Sequence, residues 1–349
     1  MKINVALASF GMSGKVFHGP LLHVHEGFNL THVLERHRSD SSENYKYATI
    51  VRKYEDLVAN KDIDLIIVNT PDHLHYEMTK NALDAGKHVV VEKPFVLNAT
   101  QGNELIDLAE KKNLVLSVFQ NRRWDGDFMT VKRVIDEQLV GRLVEFESHF
   151  DRFRNYIQKD TWKENPDLGT GTLYNLGSHM IDQALVLFGM PEGVFAEIKA
   201  QRTGSKVDDS FDIKMLYNNN LKVTVKGSYL VRESGPRYIL HGTSGSFLKY
   251  GIDPQEQCLK DGYLPDIPGW GEEEEDDWGF LNTNLSGFHF MGKIETIPGN
   301  YLAFYDDIHE AITSGKKPDV NPSESLNGIH IIEAALESSS KRKVVTRHI

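Results

Sequence analysis

The chain has 349 residues, long enough for two domains, and its balance of apolar and charged residues is that of a soluble globular protein. A formal net charge of −11 with no concentrated basic block argues against nucleic acid as the main partner, and no apolar run approaches the length that crosses a bilayer. The single cysteine, Cys258, rules out an intramolecular disulfide and suits a reducing, cytoplasmic setting.

The N-terminus alternates and then meets glycine, which predicts a first strand over Lys2 to Ala8 rather than a signal peptide. Ser9-Phe10-Gly11-Met12-Ser13-Gly14 follows, and a helix is expected from Lys15, broken or kinked near Gly19-Pro20. Glycines between a strand and a helix allow a tight turn and let backbone N–H groups approach a pyrophosphate. The dinucleotide fingerprint G-x-G-x-x-G is imperfect here: Ser9 holds the first place, Gly11 and Gly14 the second and third. The flanking strand and helix are the context the motif requires, so Phe10, Gly11, Met12, Ser13 and Gly14 are assigned to cofactor binding.

A second strand, Leu30 to Glu35, runs into Glu35-Arg36-His37-Arg38-Ser39. An acid at this distance from the glycines takes the ribose 2′-OH of NAD, whereas a nearby Arg accommodates the 2′-phosphate of NADP. The sequence has both. Arg36, Arg38 and Ser39 can surround a phosphate, so NADP is favoured and NAD is left open; the plain alternative is a charged, solvated loop.

Then come a short strand near Ala48 to Val51, a helix at Tyr54 to Ala59 and the strand Leu65 to Asn69. A helix from His75 to Ala85 closes with Gly86. The run Lys87-His88-Val89-Val90-Val91-Glu92-Lys93-Pro94 reads as a buried strand that stops at a carboxylate, an ammonium and a proline. Ligands of open parallel sheets sit just beyond such strand ends, so Lys93 is placed to meet one; the alternative is a surface Glu–Lys pair. Helix Thr100 to Lys112 and strand Leu114 to Phe119 complete a doubly wound parallel sheet, and the boundary is set near Gln120-Asn121-Arg122. The expected domains are therefore residues 1–121, a dinucleotide-binding Rossmann domain, and 122–349, an α+β substrate and oligomerisation domain.

In the second half, helix Phe128 to Gln138 leads to strand Leu143 to Phe150, a loop over Asp160 to Gly171 and helix Leu173 to Phe188. Strands follow at Phe195 to Arg202, Asp212 to Leu216, Lys222 to Tyr229, Arg237 to His241 and Ser246 to Tyr250. Short turns such as Asn218-Asn219-Asn220 imply an open, mostly antiparallel sheet with helices on one face. An irregular segment, Gly262 to Thr296, contains the acidic run Glu272 to Asp277, read as a solvated loop, and helices Tyr301 to Ser314 and Ser323 to Ser339 end the chain. In helix Leu173 to Phe188, Asn175, His179 and Asp182 are spaced i, i+4, i+7 and fall on one face. Three polar groups in line on an apolar helix are either a satisfied core histidine with its carboxylate or a general acid/base whose tautomer Asp182 fixes.

Thr70-Pro71-x-x-x-His75, Ala82-Leu83-x-x-Gly86-Lys87-His88-Val89 and Glu92-Lys93-Pro94 together resemble the signature of the Gfo/Idh/MocA family of NAD(P)-dependent oxidoreductases. Val118 to Asp125 and Leu173 to Asp182 are similar to a subgroup that includes scyllo-inositol dehydrogenases, and the match runs from the first strand to the last helix. The resemblance implies hydride transfer between a nicotinamide cofactor and a secondary alcohol of a cyclic polyol or sugar. It makes Lys93 and His179 catalytic, with Asp182 behind them. Asn175 stands where the family commonly has aspartate, and an amide cannot carry a proton. The resemblance extends cofactor binding to Asn69, Thr70, Pro71, His75, Glu92, Lys93 and Gln120, and implies a cis bond before Pro94. Arg123, Trp124, Asp125, Tyr156 and Tyr174 are candidates for a polar, aromatic-edged substrate pocket, although each is more often an ordinary interface residue. No metal site is expected. Two rivals stay open: an NAD-dependent glycoside hydrolase on the same scaffold, and a non-catalytic dinucleotide sensor. Val223, Val225 and Gly227 alternate with Lys222, Thr224 and Lys226, the pattern of a one-faced sheet, and family members pair such sheets; a homodimer or higher homo-oligomer is expected.

Overall fold

Val89, Val90 and Val91 are wholly buried, as are Leu65 to Val68. Strands apolar on both sides must be covered on both faces, which is the condition of a parallel sheet with helices above and below. The structure, a computed structural model, describes residues 2–159, 161–166 and 169–346. Its first sheet has six parallel strands: β1 (Ile3–Leu7), β2 (Phe28–Leu34), β3 (Thr49–Val51), β4 (Leu65–Val68), β5 (His88–Val91) and β6 (Leu116–Val118). The order is β3-β2-β1-β4-β5-β6, so the winding reverses between β1 and β4 and opens a crevice there. This is the doubly wound sheet expected from the sequence.

The first compact unit is discontinuous: Met1–Trp124 is joined by Pro254–Trp270 and Asn300–Leu326. Gln255 shows why these segments hold together. Its buried amide donates to the Trp124 carbonyl at 3.2 Å and accepts from Trp270 Nε1 at 3.0 Å and from the Tyr301 backbone N–H at 2.7 Å. Beside it, the buried Arg122 guanidinium pairs with the Glu256 carboxylate.

The second unit comprises Asp125–Asp253, Gly271–Gly299 and Asn327–Ile349. Its eight strands are β7 (Leu143–Asp151), β8 (Gly193–Lys199), β9 (Ser210–Leu216), β10 (Lys222–Ser228), β11 (Tyr238–Gly242), β12 (Gly245–Lys249), β13 (Gly279–Leu285) and β14 (Phe288–Ile294). They run in the order β14-β13-β12-β11-β7-β10-β9-β8, antiparallel throughout except for β7 with β10. Alternation sets the two faces. Phe146, Val223, Val225, Ile213 and Leu240 are buried, while Glu145, Lys222 and Lys226 lie on the wetter face. Helix Ser178–Phe188 packs on the apolar face, with Phe188 edge-on to Phe146 at 5.1 Å.

Several local expectations are corrected. At Gly19-Pro20, where the sequence predicts a break or kink, the helix changes type: a π turn over Gly14–His18 passes directly into helix Gly19–Val24, next to the residue that lacks an N–H. Leu173 to Phe188 is likewise a π turn, Leu173–Gly177, followed by an α-helix over Ser178–Phe188. The segment Gly262 to Thr296 is not wholly irregular, for it holds the hairpin β13–β14, whose turn residues Ser286 and Gly287 take φ 51° and 85°. β14 is an exposed edge strand, so no buried face disciplined its sequence pattern. Short helices at Ser41–Asn44 and Gln255–Lys260 add to those expected. The acidic run is not uniformly solvated: Glu273 turns inward to pair with the buried Lys249 ammonium at 2.9 Å. Asp160, Asp167 and Leu168 of the expected loop lie outside the described residues. Among the described residues no helix is long and apolar enough to cross a membrane, and no cluster of His, Cys, Asp or Glu is arranged to hold a metal ion.

Burial pushes the Glu256 carboxyl upward, but Arg122 and Lys260 outweigh it and bring it down to about 2 from an ordinary 4.5. A carboxylate depressed on folding adds stability above its unfolded pKa and loses it as pH falls through the folded value. Glu256→Gln should therefore cost about 3 kcal/mol at neutral pH and flatten the acid limb of stability between pH 4.5 and about 2. Urea titrations at stepped pH check this; an unchanged acid limb would refute it.

Candidate functional site

In the first unit, the glycine turn, the β4 end and the β5 end are drawn together by hydrogen bonds. The Asn69 amide donates to the Ser9 carbonyl at 2.8 Å, and the Gly11 N–H donates to Ser9 Oγ at 3.2 Å. A Cβ on Gly14 would lie 2.6 Å from the Ser9 oxygen and 2.8 Å from Asn69 Nδ2, so only glycine fits. Ser9, off-pattern in the fingerprint, thus closes the turn that glycine is usually called on to make. Phe10 packs edge-on to Tyr45 at 6.0 Å, and Met12 is exposed.

Beyond β5, Glu92 is buried and its carboxylate is doubly held: Oε1 lies 3.1 Å from His18 Nε2, and Oε2 accepts the Lys93 backbone N–H at 3.1 Å. His18 Nδ1 is 2.7 Å from Tyr305 Oη. Burial and the Glu92 charge push the Tyr305 hydroxyl well above its ordinary range, so it stays a phenol. Burial drives Glu92 upward, yet the hydrogen bond and charge of His18, with Lys93 and His75, hold it below the usual carboxylate range. A fixed negative charge therefore sits directly beneath the turn that carries Lys93, and the Lys93-Pro94 bond is cis, as the resemblance implied.

His75 is fully buried and spans two carbonyl oxygens, with Nδ1 2.8 Å from Pro94 and Nε2 3.0 Å from Thr70. It ties the β4 end to the proline and presents no free ring nitrogen. The buried oxygens Asn69 Oδ1, Thr70 Oγ1 and Gln120 Oε1 have no hydrogen-bond partner among the described residues. Such orphans at neighbouring strand ends suit a ligand rich in hydroxyl and amide groups, as does the Cβ-free cradle at Gly14. The residues present fit a nicotinamide dinucleotide. Glu35 is buried at the end of β2, whereas Arg36, Arg38 and Ser39 are exposed.

Of the proposed substrate residues, Arg123 and Trp124 lie in the first unit. Arg123 pairs with Glu324 at 2.9 Å, and the Trp124 ring packs on Phe304. Asp125, Tyr156, Tyr174, Asn175, His179 and Asp182 belong to the second unit, apart from Lys93 in the division of the chain. Asp125 is buried at the start of helix Gly126–Asp136, and Tyr156 is exposed. Asn175 sits on the π turn with Tyr174, while His179 and Asp182 follow on the α-helix, both buried.

Asp208 sets the start of that turn. Its Oδ2 accepts from Thr172 Oγ1 at 2.7 Å and from the Leu173 N–H at 2.8 Å. Burial raises the Asp208 carboxyl, with these donors offsetting it in part. Next to it, Asp209 pairs with Arg202 Nε at 2.9 Å, and the same guanidinium grips both oxygens of Glu164 at 3.1 Å. The loop before the His179 helix is thereby anchored to the segment before β9. The sequence reading passed over His18, Tyr305, Asp208 and Arg202. His18 lies four residues past Gly14 on the first turn, a local signal; Tyr305 is 287 positions from His18 and had none.

Residues 3–120 match the family model for the NAD-binding Rossmann fold of the GFO_IDH_MocA oxidoreductases, and residues 132–346 match its C-terminal alpha/beta domain. The chain is 39% identical over 343 residues to scyllo-inositol 2-dehydrogenase (NADP(+)) IolW of Bacillus subtilis strain 168, covering 98% of this chain and 95% of that one. A crystal structure of a Bacteroides fragilis NCTC 9343 protein superposes with TM-score 0.92 at 49% identity, covering 99% of this chain and all of the other. That of an oxidoreductase from Bacillus cereus gives TM-score 0.91 at 33% identity, covering 100% and 99%. Both halves and nearly the whole length agree: this chain belongs to the GFO_IDH_MocA family and is an oxidoreductase with a nicotinamide-binding Rossmann domain.

Proposed function

We propose that the chain is an NADP-dependent dehydrogenase acting on a secondary alcohol of a cyclic polyol or sugar, an inositol of the scyllo type being the first candidate. The observation that carries this is the Lys93 turn, held over the buried Glu92 carboxylate beside the glycine loop. The relative named as an NADP(+)-dependent scyllo-inositol 2-dehydrogenase supports both the cofactor and the substrate class.

The nicotinamide supplies the hydride acceptor. In this reading His179, neutral, takes the hydroxyl proton, and Asp182 fixes its tautomer. The Lys93 ammonium hydrogen-bonds the substrate oxygen and stabilises the negative charge that develops there. Asn175 orients a hydroxyl through its amide and moves no proton. Asn69, Thr70, Pro71, Gln120 and the glycine turn hold the dinucleotide.

His179→Ala and Lys93→Ala should each lower kcat by roughly 10²–10⁴-fold on the best substrate of an inositol and aldose panel, with His179→Ala leaving NADPH affinity within a few-fold. Near-normal turnover by both folded variants would sink the assignment. Glycoside cleavage without net change in NADPH would transfer the site to the hydrolase reading, and binding of NADPH with turnover of nothing would leave the sensor.

Asn175→Asp puts an ionisable carboxyl where the wild type has none. An extra ionisation should appear on the acid side of the kcat/KM profile, absent from the wild type. Superimposable profiles would show that residue 175 takes no part in the chemistry.

A homodimer or larger homo-oligomer is part of the same reading. On the edge hairpin of the second unit Phe288 and Phe290 are exposed on one face and Phe280 and Met291 on the other, apolar side chains on an edge strand of the kind that other chains cover. Sedimentation at micromolar concentration should give at least twice the chain mass; a single-chain mass would contradict it.

A further inference from the structure

The acid at the end of β2 is the residue expected to grip the ribose of NAD, but Glu35 faces elsewhere. It is 6% exposed, and both of its oxygens are engaged by its own loop. Oε2 accepts the Asp40 N–H at 2.8 Å; Oε1 accepts the Ser41 N–H at 2.9 Å and the Ser41 hydroxyl as well. Three of the carboxylate's four acceptor sites are thereby taken, so two hydroxyls of a ribose could not both bind without displacing a donor already in place.

The same loop is held from the other side. Arg52, the residue after β3, donates Nη1 to the Glu35 carbonyl at 2.6 Å and to the Arg38 carbonyl, and Nη2 to Ser39 Oγ at 3.0 Å. Main-chain groups at 35, 38, 40 and 41 are therefore all fixed, which leaves Arg36 to Ser39 as a short arch of set shape. On that arch Arg36 and Arg38 are exposed; the Arg38 guanidinium lies 3.7 Å from Asp40, and its side chain is 81% exposed. The buried Glu35 carboxylate is turned inward and held by three donors. Incoming anions meet two arginines, the Ser39 hydroxyl and Arg52 behind it, the donor set that a phosphate dianion takes.

We infer that Glu35 and Arg52 are positioning residues for NADP: Glu35 is the internal brace of the loop, Arg52 its strut, and together they present Arg36, Arg38 and Ser39 to the 2′-phosphate. The inference rests on the NADP reading above and gives the acid at this position the opposite role from ribose recognition. Removing it should weaken NADPH binding and spare NADH.

The test is fluorescence titration of NADPH and NADH against wild type, Glu35→Gln, Arg52→Met, Arg36→Ala and Arg38→Ala, with a thermal melt of each. Wild type should bind NADPH more tightly. Glu35→Gln and Arg52→Met should each weaken NADPH about tenfold or more with NADH within threefold, and the two exposed-arginine variants, which disturb no brace, should do the same. Glu35→Gln weakening NADH while sparing NADPH would make Glu35 the ribose ligand and overturn the inference. So would equal losses of both cofactors in Arg52→Met, or an unchanged NADPH/NADH ratio in the two brace variants; in those cases a wild-type preference for NADPH leaves the cofactor reading standing. A wild-type preference for NADH would remove both.

Discussion

The charge on Glu92 is the constraint around which the first unit is arranged. A carboxylate buried without partners would take up a proton, because removing a charge from water costs far more than any single contact returns. Here it keeps its charge by holding the His18 ring on one oxygen and the Lys93 amide on the other. That requirement fixes three chain segments at once: the π turn after the glycine loop, the turn at the β5 end, and, through Tyr305, the helix Leu302–Ser314. Moving any one of them would leave a polar group unpaired in the interior. The Lys93 turn is therefore tied, through its own backbone N–H, to the charge beneath it.

The same logic recurs wherever this protein must present a polar group in a set place. Asp208 holds the first residues of the turn that carries Asn175, and Arg202 anchors the loop before it through Asp209 and Glu164. Glu35 and Arg52 clamp the arch after β2. In each case a buried or half-buried charge is satisfied by main-chain donors or acceptors of a loop, which converts a segment with no regular structure into one of fixed shape. Lys93, Asn175, Arg36 and Arg38 stand on the segments held in this way.

The sequence reading was strongest where burial writes a periodic pattern. Leu65 to Val68 and Val89 to Val91 read as covered strands, and Val223 and Val225 alternating with Lys222 and Thr224 as a sheet with one dry face, and so they fold. It was weakest at places with no buried face to discipline the pattern, such as β14, and at the π turns, where one additional residue is absorbed without any signal in composition. The glycine turn was legible because Gly14 has no room for a Cβ. The role of Ser9 in closing that turn was not, because it depends on Asn69, sixty positions away.

By itself, then, the sequence determined the two kinds of sheet, the dinucleotide loop, the lysine at a strand end and the polar line on the histidine helix, all of them set by local periodicity and by residues with narrow conformational or chemical range. Only the tertiary structure decided how those residues are held. His18 and Tyr305 meet across 287 positions of chain, Glu35 is held by donors of its own loop, and His75 spans the carbonyls of Thr70 and Pro94. The reason is physical: a side chain's residue type states what it can bond to, but the partner it finds is chosen by which groups the folded chain leaves without water.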